Sequence, residues 1–536
     1  MATETKPAPK KPDPKKQLPT TAGRFSRWPR FTLLFLVFCG GVAVMGMEMT
    51  ASQLIAPYFG STISVWTSLI GLVMVFLTTG YYLGGALADR RPSRGLLGAI
   101  VLLAGLVMMI IPLFSMPVLM MTWQLTPKVG LLVGSLVGTF ILFSIPNILL
   151  GCICPFAMKL SIADLGRTGR ASGNIYAISA IGSVIGTFLP ALFTISLYGV
   201  RKSIMIFGAL LIVAALLLLS RLRFSPAAGV MLLLAVQLPP LLPLKGLLAV
   251  RESPYNYLEV VQMGEARVLW IDWSVFSHYT PGQFRTWESH DYLLLAPLMR
   301  PEPPSKWLRR ELLIGLCAGT TVKQTNSAFG PIAIDGVEID PVIVELGRTY
   351  FAMNDPNLRV HLTDGRAFLA SAPEPYDWVV VDAYQGSDIP AHLVTKEFFQ
   401  LVKDHMSPNG VLSVNIAWWD RTDTEITRRV MTTIAAVFPK VYVVTDIGYY
   451  KCNAVLLAGG EDLSPAHITR NAGLNGYPDL IDIAAEMTDA KPPQFERLEK
   501  LGEPLTDDQG SLRNIVDRMY LKMRRQLHAR EQEYLQ

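Results

Sequence analysis

A multi-span α-helical membrane region followed by an α/β domain built on an open parallel sheet, entered through a small β-hairpin region, is the architecture that the sequence predicts. Three observations carry it. The chain of 536 residues is 51% apolar, too long for one domain and too hydrophobic for an ordinary soluble one. Windows of about 20 nearly uncharged residues, the length needed to cross a bilayer, recur before residue 250 and not after it. The second half then repeats an apolar run ending in a small or acidic residue, in the order LLIGLCAGTT, GVEIDPVIVELGRTYF, HLTDGRAFL and YDWVVVDAYQGSDIPAH.

In chain order, residues 1–30 are rich in Lys and Pro, lack apolar periodicity and read as a disordered basic cytoplasmic tail ending in Arg24, Arg27 and Arg30. No cleavage site follows a short apolar core, so the reading excludes a removable signal peptide. The membrane region, residues 31–250, holds candidate spans at about 31–55, 63–86, 96–121, 129–156, 174–198, 203–220 and 226–247. Asp89, Arg90, Arg91 and Arg94 lie between the second and third spans, and Lys159, Arg167 and Arg170 follow the fourth. The first and third loops are nearly uncharged. Positive charge gathers on the cytoplasmic side, so the N-terminus is expected inside.

Seven crossings from that start would put the second half outside. Pro239, Pro240 and Pro243 interrupt the last candidate span, so the expectation is six crossings, a re-entrant or interfacial segment, and a cytoplasmic domain. The location expected is a bacterial inner membrane. The net charge of +5 comes largely from the first thirty residues. It points to anionic lipid and orientation, with no nucleic acid as partner.

Two features of the membrane region stand out. Glu48 sits inside the first span, and an acid at that depth is costly and a functional candidate, either protonated or paired with a hydroxyl such as Thr50. The run Gly80–Arg91 is rich in small residues that permit close helix packing and resembles the cytoplasmic loop of major facilitator transporters. Among the five cysteines, Cys152 and Cys154 lie in a hydrophobic run and are expected as buried thiols. No disulfide framework or metal spacing is present.

Residues 251–536 form the second domain. YNYLEVVQMG and EARVLWIDW, separated by Gly264, alternate as a β-hairpin. A helical stretch around TWESHDYLLLAPL and a Pro-rich linker lead to the sheet. Leu312–Ile314 run into the small-residue turn Gly315, Ala318, Gly319, and the next strand carries Glu338 near its end. A turn without bulky side chains lets backbone N–H groups approach a ligand, and an acid at the end of the next strand can accept ribose hydroxyls. Asp364 with Gly365, and Asp382 after Trp378–Val381, end two further strands at the same carboxyl edge. Helix Thr395–Met406, strand Val411–Ile416, another helix, and strands Val441–Thr445 and Asn453–Ala458 complete the pattern. Leu512–Leu535 reads as a surface or contact helix.

These motifs resemble the spermidine synthase family of aminopropyltransferases, whose domain has a Rossmann-like, class I methyltransferase-like fold. The likeness covers about residues 252–460. LIAPYFGSTISVW and LTDDQGSLRN resemble its membrane-fused branch. The resemblance implies decarboxylated S-adenosylmethionine as co-substrate, no permanently bound cofactor and no metal. It also implies a small-molecule amine such as putrescine as acceptor, with methylthioadenosine and spermidine or a related polyamine as products. Family members associate as dimers or higher oligomers, so a homodimer within the lipid bilayer is the implied assembly.

The resemblance also assigns roles. Glu338 accepts the ribose hydroxyls, Asp364 holds the adenine amino group, and Gly315 and Gly365 belong to the nucleoside-side turns. Asp382 is the general base. His290 and Asn256 fall where the family contacts the cofactor. Asp291 stands beside His290 in place of the usual Glu, and Asp388 supplies a second carboxylate to the acceptor. One departure matters: the family's GGGDGG turn carries an acid, and GLCAGTT carries none. Two alternatives stay open, a methyltransferase using intact S-adenosylmethionine and a polyamine transporter or sensor with a catalytically weakened domain.

Overall fold

The computed structural model describes residues 27–60, 63–161, 168–219, 246–272, 274–384, 390–417, 424–447, 453–488, 494–496 and 499–508. Asp388, most of the seventh candidate span, the basic tail before residue 27 and the Leu512–Leu535 segment lie outside them.

The N-terminal half is a bundle of antiparallel helices: α1 (Arg27–Phe59), α2 (Ile63–Arg90), α3 (Arg94–Val129), α4 (Leu131–Gly151) with its continuation α5 (Ile153–Ser161), α6 (Thr168–Leu189) with its continuation α7 (Ile195–Tyr198), and α8 (Val200–Leu219). Among the described residues, six helical stretches are long and apolar enough to cross a membrane. They match the first six candidate spans, several of them extended by a turn or more at their ends.

Small residues set how closely these helices pack, because lipid gives no hydrophobic drive between them. A Cβ on Gly80 of α2 would lie 2.2 Å from the Ile148 carbonyl of α4, and one on Gly186 of α6 would lie 2.3 Å from the Val42 carbonyl of α1. Gly80 belongs to the run singled out in the sequence. Cys152 is buried and Cys154 half-buried, the latter against Ser179 at 3.5 Å. Glu48 is half-buried, and Thr50 gives its hydroxyl to the Gly46 carbonyl at 2.8 Å. Of the alternatives for Glu48, a bond from the Thr50 hydroxyl is not the one formed, since that hydroxyl donates within its own helix.

The bundle has two unlike ends. At one lie the α2–α3 turn, the Lys159–Asp89 ion pair (2.7 Å), the start of α6 with Arg170, and Leu219, which packs on Gly98. At the other lie Phe59 at the end of α1, Gly130 between α3 and α4, and Gly199 before α8. The second domain docks on this second end. The small cavity between the halves, about 50 Å³, is lined by Gln53, Pro57 and Arg201 on one side and Glu252, Tyr255 and Asp272 on the other. The domain thus sits at the end of the bundle remote from Asp89, Arg94 and Lys159.

The second domain opens with four antiparallel strands, β1 (Leu247–Glu252), β2 (Tyr257–Met263), β3 (Ala266–Ile271) and β4 (Ser274–Tyr279), in sequential order. The large sheet follows: β5 (Arg310–Ile314), β6 (Ala333–Glu338), β7 (Leu358–Leu362), β8 (Tyr376–Val381), β9 (Met406–Ala417), β10 (Lys440–Ile447), β11 (Asn453–Gly459) and β12 (Gln494–Glu496). Its order is β12-β10-β11-β9-β8-β5-β6-β7. The strands β7, β6, β5, β8 and β9 run parallel, and β11, β10 and β12 add antiparallel pairs.

Alternation explains why the central strands read as continuous apolar runs. Leu312, Ile314, Val379, Val381 and Leu412 face one core, and Leu313, Trp378, Val380 and Val411 face the other. A parallel sheet covered on both faces needs apolar residues on both. Trp378 still places its indole N–H on Ser413 (3.0 Å), which in turn donates to the Leu293 carbonyl (2.8 Å).

Glu311 breaks the apolar pattern at the start of β5. It has no exposed surface, and burial pushes its carboxyl from an ordinary 4.5 up to about 8. A folded-state pKa raised this way favours the native state below the unfolded value and is a growing cost as pH climbs from 4.5 through 8. Glu311→Gln is expected to remove this loss. Thermal melts of the detergent-solubilised chain should show the variant more stable than wild type at pH 9, by on the order of 2–4 kcal/mol, and similar to it near pH 4.5.

Candidate active site

The site assembles where β5 meets its two neighbours. The connection leaving β5 turns toward β6 and the one leaving β8 turns the opposite way toward β9, so a crevice opens between β5 and β8 at the carboxyl edge. Gly315, the first residue after β5, takes φ +91°, and a Cβ there would lie 2.2 Å from the Asp382 carbonyl. The Asp382 amide donates to the Ile314 carbonyl at 2.8 Å, and the Gly315 amide to the Val337 carbonyl at 3.0 Å. Glycine is therefore required for the ends of β5, β6 and β8 to meet.

Glu338 ends β6. Its Oε2 accepts from the Cys317 amide (3.0 Å), and its Oε1 from the amides of Ile339 (3.0 Å) and Asp340 (3.1 Å). Burial raises its pKa against the pull of these amides. Capping of the next helix, Pro341–Tyr350, falls to Asp340, which accepts from Val342 at 3.0 Å. Glu338 is thus relieved of the capping role and held at the turn.

Asp364 is the N-cap of Gly365–Ala370, accepting from the Ala367 amide at 2.9 Å, and its other oxygen meets His392 Nε2 at 2.8 Å. Burial alone would raise this carboxyl, but the Ala367 amide and His392 carry it below its ordinary value. A Cβ on Gly365 would lie 2.3 Å from the Ile314 side chain, so the start of this helix packs against the end of β5.

Asp382 follows β8. Asn415 of β9 donates to Oδ1 at 2.8 Å, while Oδ2 stands 3.9 Å from His290 Nε2. Both side chains are 12% exposed. His290 Nδ1 is buried without a hydrogen-bond partner among the described residues. Behind it, His278 is driven down to about 4 by burial and by the neighbouring His290, so it is neutral near pH 7.

Not every residue expected at the site comes to it. Asp291 has no exposed surface, and its oxygens accept from Arg285, Thr286 twice, Trp287 and Gln324 at 2.7–3.0 Å. Expected among the acceptor-binding residues, Asp291 is engaged by five donors and anchors the loop before His290. Asn256 donates to Asp340 Oδ2 at 3.0 Å and reaches the nucleoside edge only through that residue. The GLCAGTT turn presents Cys317 with φ +48°, and burial pushes its thiol far up, so it supplies no anion.

Asn415, His392 and His278 were not singled out from the sequence. For Asn415 a signal existed, since a lone amide inside the apolar run VLSVNIA needs a partner when buried. His392 carried no such local mark.

Glu338 at the end of β6 and Asp382 just after β8, on either side of the Gly315 turn, mark the carboxyl edge of a Rossmann-like sheet. Residues 320–456 match the spermine/spermidine synthase domain family. The chain is 34% identical over 190 residues to a probable polyamine aminopropyl transferase of Bifidobacterium longum, covering 35% of this chain and 41% of that one. It is 29% identical over 202 residues to the polyamine aminopropyltransferase of Vibrio vulnificus, covering 33% of this chain and 66% of that one. The chain thus spans from under half to about two thirds of the length of these relatives. A probable spermidine synthase structure from Corynebacterium glutamicum aligns at 20% identity with a TM-score of 0.36, covering 49% of this chain and all of that one.

Gly315→Ala is expected to cost well over ~1 kcal/mol of stability and to abolish binding of a nucleoside ligand, since both its positive φ and the Asp382 carbonyl oppose a side chain. Gly473→Ala, where a Cβ meets nothing within 4 Å, is the control. Chemical-denaturation midpoints and calorimetry with methylthioadenosine measure the two effects.

Proposed function

We propose that the second domain transfers the aminopropyl group of decarboxylated S-adenosylmethionine to an amine. The observation that carries this reading is the pair Glu338 and Asp382, brought to opposite sides of Gly315 by β6 and β8. Glu338 has acceptor capacity for the ribose hydroxyls beyond the three amides it already holds. Asp364 and the Gly365 turn border the base-binding side.

In the reaction the acceptor amine attacks the methylene beside the sulfonium. The new N–C bond forms as the C–S bond breaks, the electron pair goes to sulfur, and methylthioadenosine leaves as a neutral thioether. The ammonium proton passes to Asp382. Asn415 fixes one oxygen of that carboxylate and leaves the other, facing His290, for the amine. The leaving group needs no activation, so orientation and proton removal are the protein's main tasks.

The acceptor half carries less charge than the family pattern, since GLCAGTT lacks an acid and Asp291 is consumed by internal bonds. One carboxylate fewer weakens the hold on a cationic diamine by several kcal/mol in a partly buried site, on the order of the coupling of a close charge pair.

A second reading, a polyamine transporter or sensor with a weakened domain, is favoured by the docking geometry. Arg90, Arg91, Arg94, Lys159 and Arg170 gather at one end of the bundle, against Arg201 and Lys202 at the other. Positive-inside reasoning then supports an integral membrane protein whose globular half faces away from the cytoplasm. A charged sulfonium nucleoside made inside would not reach that side unaided.

Three measurements decide between the readings. Mass spectrometry of products from the purified chain, given decarboxylated or intact S-adenosylmethionine and a panel of diamines, is expected to show methylthioadenosine and a longer polyamine only with the decarboxylated form. A methylated product from the intact form would establish the methyltransferase alternative. Asp382→Asn is expected to lower turnover about a hundredfold while nucleoside binding is retained; unchanged turnover overturns its role as base. Single cysteines placed at Ser93 and Glu265 in a background lacking native cysteines are expected to react with an impermeant maleimide in whole cells at Glu265 only. Labelling at Ser93 alone would return the domain to the cytoplasm.

A further inference from the structure

The contact between the two halves is built from charge and runs without a break to the acid expected to hold the ribose. Glu252, the last residue of β1, presents its carboxylate to the first turn of α8. Oε2 accepts from the Arg201 amide at 3.1 Å, and Oε1 stands 3.6 Å from the Arg201 guanidinium. That guanidinium also lies over the Tyr257 ring at 4.8 Å. The fit is tight, because a Cβ on Gly199 would come within 2.4 Å of Glu252 Oε2. A helix N-terminus and a cation together hold a carboxylate more firmly than either alone.

The next residues carry the connection onward. Ser253 Oγ donates to Asp340 Oδ2 at 2.5 Å, and Asn256 Nδ2 donates to the same oxygen at 3.0 Å. The turn between them is closed by the Ser253 amide on the Asn256 carbonyl at 2.9 Å. Asp340 is fully buried, caps the Pro341–Tyr350 helix, and gives its own amide to Glu338 Oε1 at 3.1 Å. The path from α8 to Glu338 therefore crosses four side chains, each hydrogen-bonded to its neighbour or covalently adjacent to it.

We propose that Glu252 is a positioning residue: seated on the first turn of α8, it presses the Ser253–Asn256 turn against Asp340 and so sets Glu338, making nucleoside affinity at the sheet edge depend on the membrane-spanning half. The proposal rests on the reading that Glu338 holds the ribose. It gives the membrane half a role beyond anchoring, since any movement of α8 relative to α1 is transmitted to the site.

The test uses the full chain in nanodiscs. Glu252→Gln, and from the other side Gly199→Ala, are compared with Glu265→Gln in the exposed β2–β3 turn. Both junction variants are expected to weaken methylthioadenosine binding about tenfold, the effect of losing one charge-assisted hydrogen bond; the melting temperature is expected to change little in Glu252→Gln and to fall in Gly199→Ala, whose φ of +82° opposes a side chain. Hydrogen exchange at the Ile339, Asp340 and Val342 amides is expected to quicken in the ligand-free variants and not in Glu265→Gln. Glu252→Asp is expected to restore part of the affinity. Wild-type exchange at these amides in both junction variants overturns the relay, whatever the ligand. If the wild-type chain binds no nucleoside, the ribose reading of Glu338 fails, and the exchange data alone still decide whether the junction positions that residue.

Discussion

The whole site depends on one close approach, the passage of the Asp382 backbone past Gly315. At 2.2 Å from where a side chain would begin, the carbonyl leaves room for hydrogen only. Because β5 sits between β6 and β8, this approach brings the acids of two strands to one crevice. Strands packed about 4.8 Å apart set the spacing of those carboxylates. The positive φ and the hydrogen bonds of the Gly315 and Asp382 amides are parts of the same constraint. Backbone geometry places Glu338 and Asp382; side-chain chemistry then decides what each can do.

The three acids occupy different electrostatic settings although all end or follow strands. Glu338 is desolvated and rises, Asp364 is paired with His392 and falls, and Asp382 keeps one oxygen tied to an amide and the other beside His290. One fold edge thus gives three carboxylates three different environments. Asp291 illustrates the opposite outcome. With five donors around it, a carboxylate becomes part of the scaffold.

The bundle and the sheet domain obey different packing rules and meet through polar contacts. In the bundle, glycines at Gly80, Gly182 and Gly186 let backbones touch. In the sheet, large side chains fill both faces, with Trp378 and Tyr376 wholly buried. At the junction neither solution applies, and Glu252, Arg201 and Tyr257 bind through charge and aromatic contact. The junction therefore depends on the state of a few groups, whereas the cores on either side do not.

Much of the fold was legible in the residues themselves. Hydrophobic runs long enough to span a bilayer, and apolar strands ending in Gly315, Glu338, Asp364 and Asp382, are local signals, and local spacing fixes helix or strand through the period of the side chains. The sequence by itself thus indicated the apolar spans, six of which are described helices, the parallel sheet and the acids at its carboxyl edge. Tertiary structure decided what depends on distant partners: that Asn415 and His290 converge on Asp382, that Gln324 joins the local donors around Asp291, that Asn256 works through Asp340, and which end of the bundle carries the domain. Hydrogen bonds between residues more than thirty positions apart leave no mark in local spacing, so only the folded chain can specify them.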